Sequence, residues 1–173
     1  ISFAILFKKR LAETYFLSIC TIIIILFLSG ILNFRGSLLL GYGIIICLSF
    51  LSLAFIIKRF LRNKKIFKEI SLFPSLIIFF LFFLFALFQN YGRMFVNWDE
   101  FSHWGIVVKS LYSFDALGTF KDANILFKSY LPGTSLLQYF FVRPFPEFVE
   151  YPAYISQNML FFSIISTLLK NLI

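Results

Sequence analysis

Residues 15–32 read YFLSICTIIIILFLSGIL, a run of 18 residues without one charged side chain. A helix needs about 20 consecutive apolar residues to cross about 30 Å of hydrocarbon. This run therefore predicts a first membrane span over residues 13–32. Further apolar runs predict spans over residues 37–57, 72–89 and 153–170.

Composition supports the same class of protein. Of the 173 residues, 60% are hydrophobic, 27 are Phe and only 14% are charged, and the mean hydropathy is +0.90. A soluble globular domain keeps a more charged surface. The sequence therefore predicts an all-α, polytopic membrane protein with about four transmembrane helices, in a single membrane domain. Because it begins at Ile1 and stops inside an apolar stretch, we expect it to be a fragment of a larger protein.

The distribution of charge predicts orientation. The chain carries a net charge of +8, and its basic residues flank the apolar runs, chiefly at residues 8–10 and 58–69. Basic residues concentrate on the cytoplasmic side of membranes. We therefore expect a multi-pass membrane protein with a cytoplasmic N-terminus and a cytoplasmic 58–69 loop; the resemblance described below implies a bacterial plasma membrane. The same distribution favours lipid headgroups over nucleic acid as the partner. A signal peptide is the alternative for the first run, which is longer than a typical signal sequence and lacks a clear cleavage site.

Residues 90–132 then form an outer loop, followed by a short apolar or re-entrant helix over residues 134–142. Within the loop, Phe101, Trp104, Val108 and Leu111 recur at helical spacing and form an apolar stripe. The pattern predicts an amphipathic helix over residues 100–113, lying in the membrane interface. The stripe would face lipid or neighbouring spans, and Asp99, His103 and Lys109 would face a polar cavity.

Asp99 and His103, four residues apart, form the first candidate site. A carboxylate beside an imidazole can act as a general base or hold a divalent ion. The alternative is structural: Asp99 caps the helix, and Glu100 in the first turn opposes the helix dipole. Spacing alone favours neither interpretation.

The second cluster follows at residues 127–141. Pro132-Gly133 predicts a turn, and Thr134 or Ser135 is a candidate cap for the helix after it. Backbone N–H groups at such a helix start bind anions, and Lys128 lies nearby in sequence. The alternative is an ordinary junction between a loop and a helix.

Together the two clusters resemble the GT-C superfamily, polytopic glycosyltransferases that use polyprenyl-phosphate-linked sugars. The similarity rests on the Trp-Asp-Glu-Phe-Ser-His-Trp stretch at residues 98–104 and on the Tyr-Leu-Pro-Gly-Thr turn at residues 130–134. It is greatest to uncharacterised bacterial members, whose turn reads Tyr-Pro-Pro-Gly-Thr, so that Leu131 replaces the first of the two prolines. It covers residues 97–141, which correspond to the N-terminal part of such an enzyme.

The resemblance implies roles for individual residues. Asp99 would be the general base or a metal ligand, and Glu100 would support it. His103 and Lys109 would lie near the donor phosphate, and Tyr130, Pro132 and Gly133 would shape the donor pocket. The resemblance leaves open a divalent cation, for which Asp99 and Glu100 would be the ligands. The partners it implies are the lipid bilayer and a polyprenyl-phosphate-linked sugar.

Two other functions fit the sequence. One is a non-enzymatic membrane protein, such as a transporter or a subunit that assembles a cell-envelope polymer. A transporter is expected to carry polar residues or broken helices near the midplane, whereas polarity here concentrates at the outer surface. The other is a polysaccharide polymerase or ligase, which would share the lipid-linked donor.

Overall fold

The computed structural model describes residues 1–63, 65, 72–123, 125–126, 128 and 131–168. Every regular element among these residues is helical. The helices are α1 (Ser2–Phe7), α2 (Tyr15–Gly30), α3 (Ser37–Arg62), α4 (Leu72–Asn90), α5 (Gly105–Phe114), α6 (Gly133–Val142) and α7 (Tyr151–Leu168). A 3-10 turn, Leu11–Thr14, precedes α2, and a π-helical turn, Glu100–Trp104, precedes α5. The all-α prediction is confirmed for these residues.

Within the described ranges, two helical segments are long and apolar enough to cross a bilayer. They cover Leu11–Gly30 and Ser37–Arg62, with mean hydropathies of 2.3 and 2.4. Only 22% and 11% of their most apolar stretches are buried, whereas the core helix of a soluble protein is mostly buried. The second is longer than the predicted 37–57, because residues 58–62 contain no helix breaker and continue α3.

The other two predicted spans are helical, but one has a shorter apolar stretch and the other is less apolar. In α4 the apolar stretch Pro74–Asn90 is shorter than the two candidates above. The helix α7 carries Gln157 and Asn158, together with several serines, which lower its mean hydropathy. Residues 64 and 66–69 of the predicted basic loop, and residues 169–170 of the fourth predicted span, lie outside the described residues.

The described helices belong to two compact units. Unit 1 contains residues 1–21, 46–89 and 158–173. Its packing centres on aromatic rings: the ring of Tyr15 stacks on that of Phe79 at 4.9 Å between centroids, and the rings of Phe82 and Phe162 stack at 4.4 Å. The Tyr15 hydroxyl donates to the carbonyl of Ser75 at 2.8 Å, so the polar end of this half-buried ring is satisfied.

Unit 2 contains residues 22–45 and 90–157 and holds both motif clusters. Its main core joins the end of α2 and the start of α3 to α5 and α6, through a cluster that includes Leu26, Leu38, Leu111, Leu136 and Tyr139. These side chains come from four helices far apart in sequence. The core therefore brings the two halves of the motif region together.

The predicted helix over residues 100–113 is present, but its first turn is a π-helix and its apolar stripe is divided. Val108 and Leu111 are fully buried within unit 2, whereas Phe101 is 55% exposed. Trp104 is half-buried, with its ring 4.8 Å from that of Phe95. A π turn contains one residue more than an α turn, so it shifts the phase of the helix and turns Phe101 out of the stripe.

Candidate functional site

A cavity of about 510 Å³ lies within unit 2. Both motif clusters contribute to its wall, with the π turn and α5 on one part and the start of α6 on another. Among the residues that the structure describes, its polar lining residues are Asp99, Ser102, His103, Thr119, Lys128, Thr134 and Ser135. Its apolar lining residues include Phe27, Trp104, Val107, Leu111, Leu117, Ile125, Leu126 and Leu131. Apolar walls with a few convergent polar groups are typical of small-molecule sites.

Asp99 and His103 both line this cavity, as the predicted polar face requires. Asp99 has helical backbone angles, with φ −65° and ψ −25°, and its side chain makes no capping hydrogen bond. The structural alternative for Asp99, a helix cap, is therefore wrong. Residues four apart on a helix lie on the same side, so both side chains are directed to the same space. His103 Nδ1 lies 3.1 Å from the carbonyl oxygen of Ser102.

Glu100 is buried and does not line the cavity. The backbone N–H groups of Val96 and Asn97 donate to its Oε2 at 2.6 and 2.8 Å, and Asn97 Nδ2 donates to its Oε1 at 3.1 Å. A glutamate that reaches back to the backbone N–H three residues earlier forms one half of a capping box. Glu100, not Asp99, therefore secures the start of this helix.

These contacts also set the charge of Glu100. Burial raises the pKa of its carboxyl, but hydrogen bonds from the backbone N–H groups of Asn97 and Val96 and from the Asn97 side chain lower that pKa to about 2. A carboxylate that accepts several hydrogen bonds is stabilised in its ionised form. Glu100 is an ionised structural group, and its support for Asp99 acts through the backbone.

The second cluster also lines the cavity, but its helix begins without the side-chain cap that the sequence predicts. The helix α6 begins at Gly133, and no side chain caps it, so the predicted caps by Thr134 and Ser135 are wrong. Pro132, Thr134 and Ser135 line the cavity, and Gly133 does not. Tyr130 lies outside the described residues.

The lysine that reaches the cavity is Lys128, not Lys109. Lys109 is exposed on α5 and does not contribute to the lining, whereas Lys128 does. Lys109 follows His103 by six residues, which is well short of two full helical turns and points it away from the cavity side. Lys109 is therefore not among the residues that line this cavity, and its expected position near a donor phosphate stays a prediction.

The side chains available as metal ligands can be compared with the divalent cation that the resemblance leaves open. Within the described residues there is no group of three or more His, Cys, Asp and Glu side chains placed to hold a metal ion. Asp99 and Glu100 point in different directions, and Glu100 would have to give up its backbone hydrogen bonds to join Asp99. The described residues therefore do not fit a site in which these two carboxylates bind an ion jointly.

Asp115 organises the cavity wall and was not predicted. It ends α5 in a left-handed conformation, with φ 48°, which aspartate tolerates better than most residues. Its carboxylate accepts from the Tyr139 hydroxyl at 2.6 Å and pairs with Arg143 Nε at 2.9 Å, and its carbonyl accepts from the Leu38 N–H at 2.8 Å. The wall residues 117–119 start two residues later. The sequence shows Asp115 only as a single acidic residue after an apolar helix. It does not reveal these contacts, because the partners of Asp115 are 24 or more residues away along the chain.

No family model, curated protein or solved structure matches this chain. The functional argument therefore depends on the motif residues and on the chemistry of the cavity.

Proposed function

We propose that this chain is part of a GT-C-like membrane glycosyltransferase, which moves a sugar from a polyprenyl-phosphate donor to a cell-envelope acceptor on the outer face. One observation carries the proposal: a single cavity gathers Asp99 and His103 from the first motif and Lys128 from the second, beside an apolar wall. A base, a proton donor and a cation in one site are what glycosyl transfer from a phosphate requires.

The reaction assigns a task to each group. The acceptor oxygen attacks the anomeric carbon of the donor, and the bond between that carbon and the phosphate oxygen breaks. Asp99 takes the proton of the acceptor hydroxyl. Lys128 stabilises the negative charge on the departing polyprenyl phosphate, and His103 donates a hydrogen bond to it. An alkyl phosphate is a good leaving group when its charge is neutralised, which gives the lysine a direct effect on rate.

The apolar lining suits the lipid part of the donor. Phe27, Leu126 and Leu131 line the cavity and are themselves exposed, with Leu131 at 92% and Leu126 at 80%. Exposed leucines at the edge of a cavity are costly in water and favourable against a hydrocarbon chain. The volume of about 510 Å³ lies within the range of about 300–1,000 Å³ found for small-molecule sites.

Membrane placement completes the proposal. The helices α2, α3, α4 and α7 act as four spans, with the N-terminus cytoplasmic and residues 90–132 on the outer side. The apolar length of α2 and α3 supports two of these spans, and the basic residues at both ends of the pair support the orientation. The cavity then lies at the outer surface, within lateral reach of a lipid donor.

Asp99→Asn tests the catalytic role. The change nearly preserves shape and removes the base, so transfer from a polyprenyl-phosphate sugar should fall by about 10²–10⁴-fold. Membrane-inserted yield should be unchanged, because Asp99 makes no capping bond. The measurement is sugar transfer in membranes that contain the protein at matched levels.

Asp122→Asn is the matched control, since Asp122 is exposed and does not line the cavity. It should retain normal transfer. If Asp99→Asn kept normal transfer, Asp99 would not be the general base. Absence of sugar transfer by the wild-type protein would overturn the enzymatic role and favour a transporter or an assembly subunit.

A further inference from the structure

The segment after α4 carries an exposed apolar surface that the proposed chemistry does not use. Tyr91, Met94, Val96, Trp98 and Phe101 are between 55% and 81% exposed. We call these five side chains the 91–101 strip. Contiguous exposed apolar side chains mark interaction surfaces, because a monomeric soluble surface rarely tolerates them.

The exposure of the strip is built into the backbone. The Phe95 N–H donates to Glu150, and the Val96 and Asn97 N–H groups donate to Glu100. The Tyr154 hydroxyl donates to the carbonyl of Met94 at 3.3 Å. With the backbone held in this way, Phe95 points inward and is 6% exposed, while its neighbours Met94 and Val96 point outward.

The composition and chain position of the strip point to one partner. Tyr and Trp concentrate where a membrane meets water, because their rings are apolar and their polar atoms remain hydrated. The strip contains one of each, and Arg93 is the only cation of the segment. It also begins one residue after α4 ends at Asn90, so a membrane-inserted α4 would deliver it to the bilayer surface.

We propose that the 91–101 strip is the surface by which unit 2 anchors in the outer lipid interface. The stripe that the sequence predicts for this task is not available, since Val108 and Leu111 are buried within unit 2. The inference rests on the membrane placement of α4 proposed above and does not depend on sugar transfer.

The two tryptophans of the chain allow a direct test. In Trp104→Phe only Trp98 emits, and in Trp98→Phe only Trp104 emits. Each full chain is reconstituted in phosphatidylcholine vesicles that carry dibrominated phosphatidylcholine, with bromines at a shallow or a deep position. Trp98 emission should fall severalfold with shallow bromines and less with deep ones. Trp104, packed on Phe95 and Tyr154, should be quenched less than Trp98.

Substitutions within the strip supply the second arm. Met94→Ser combined with Val96→Ser should weaken the quenching of Trp98 by shallow bromines and increase its quenching by aqueous iodide. Phe34→Ser is the matched control, because Phe34 is exposed in the turn between α2 and α3, outside the strip. It should leave both signals unchanged. If Trp104→Phe does not fold, a bimane label at Val96→Cys, in a background without Cys20 and Cys47, gives the same readout.

Three results would overturn the proposal. Quenching of Trp98 by iodide and not by brominated lipid would place it in water. Deep bromines quenching it more than shallow ones would place it in the hydrocarbon. Shielding from both quenchers that increases with the ratio of protein to lipid would show that a second copy covers the strip. In each case normal sugar transfer by the wild-type protein in the same vesicles would leave the proposed function standing.

Discussion

At the scale of single residues, the neighbouring carboxylates Asp99 and Glu100 have different roles. Asp99 faces the cavity, while Glu100 is buried and binds the backbone of Val96 and Asn97. The burial of Glu100 is compatible with its charge only because these N–H groups are aimed at it. The same bonds hold the segment from which the π turn starts, so Glu100 controls the position of Asp99 without touching a substrate.

Glu100→Gln should destabilise the protein by about 1–3 kcal/mol. The amide NH₂ group of Gln is a donor, so where it replaces a carboxylate oxygen it cannot accept hydrogen bonds from the backbone N–H groups. The wild-type pKa of about 2 is lower than the usual value of 4.5, so ionised Glu100 contributes stability above pH 4.5 that is lost as the pH falls toward 2. The melting temperature in detergent should fall over that range in the wild type, and this component should be missing in Glu100→Gln. Glu147→Gln, at an exposed position, should behave as the wild type does.

At the scale of elements, the π turn and α5 depend on a glycine at their junction. A Cβ at Gly105 would lie 2.1 Å from the Glu100 carbonyl oxygen and 2.8 Å from the ring of Phe95. The π turn brings its own first carbonyl against this position, and only a residue without a side chain fits there. Gly105 thus links the direction of the π turn to the packing of Phe95 beneath it.

Gly105→Ala should therefore destabilise unit 2, by about 1–3 kcal/mol for an overpacked site. It should also change the near-ultraviolet circular dichroism of Trp104, which packs on Phe95. Gly133→Ala is the control, because no atom lies within 4 Å of a Cβ at that position. There, the helix propensity of alanine should leave stability equal or slightly higher. Equal stability of the two variants would argue against the π turn.

At the scale of the whole molecule, the arrangement of charge and apolar length decides how the chain meets a membrane. The two long apolar helices are exposed over most of their surface, and basic residues flank the pair at residues 8–10 and 58–65. The acids follow the opposite distribution: six of the eight lie after α4. This asymmetry favours one orientation over its reverse.

Cysteine labelling tests that orientation. In a background without Cys20 and Cys47, an impermeant maleimide added to intact cells should label Ser102→Cys and spare Asn63→Cys. Both positions should react after the membrane is permeabilised, which controls for accessibility. Preferential labelling of Asn63→Cys in intact cells would reverse the proposed topology, and with it the outer position of the cavity.

The sequence by itself determined the helical class, the positions of the long apolar helices and the shared direction of Asp99 and His103. These properties depend on the local period of apolar residues and on composition, which a single chain displays directly. The tertiary structure alone decided that Glu100 points inward, that Lys128 and not Lys109 reaches the cavity, and that Asp115 pairs with Tyr139 and Arg143. Each of these depends on backbone groups or side chains brought together by packing, and a π turn shifts the helical phase in a way that residue spacing does not reveal.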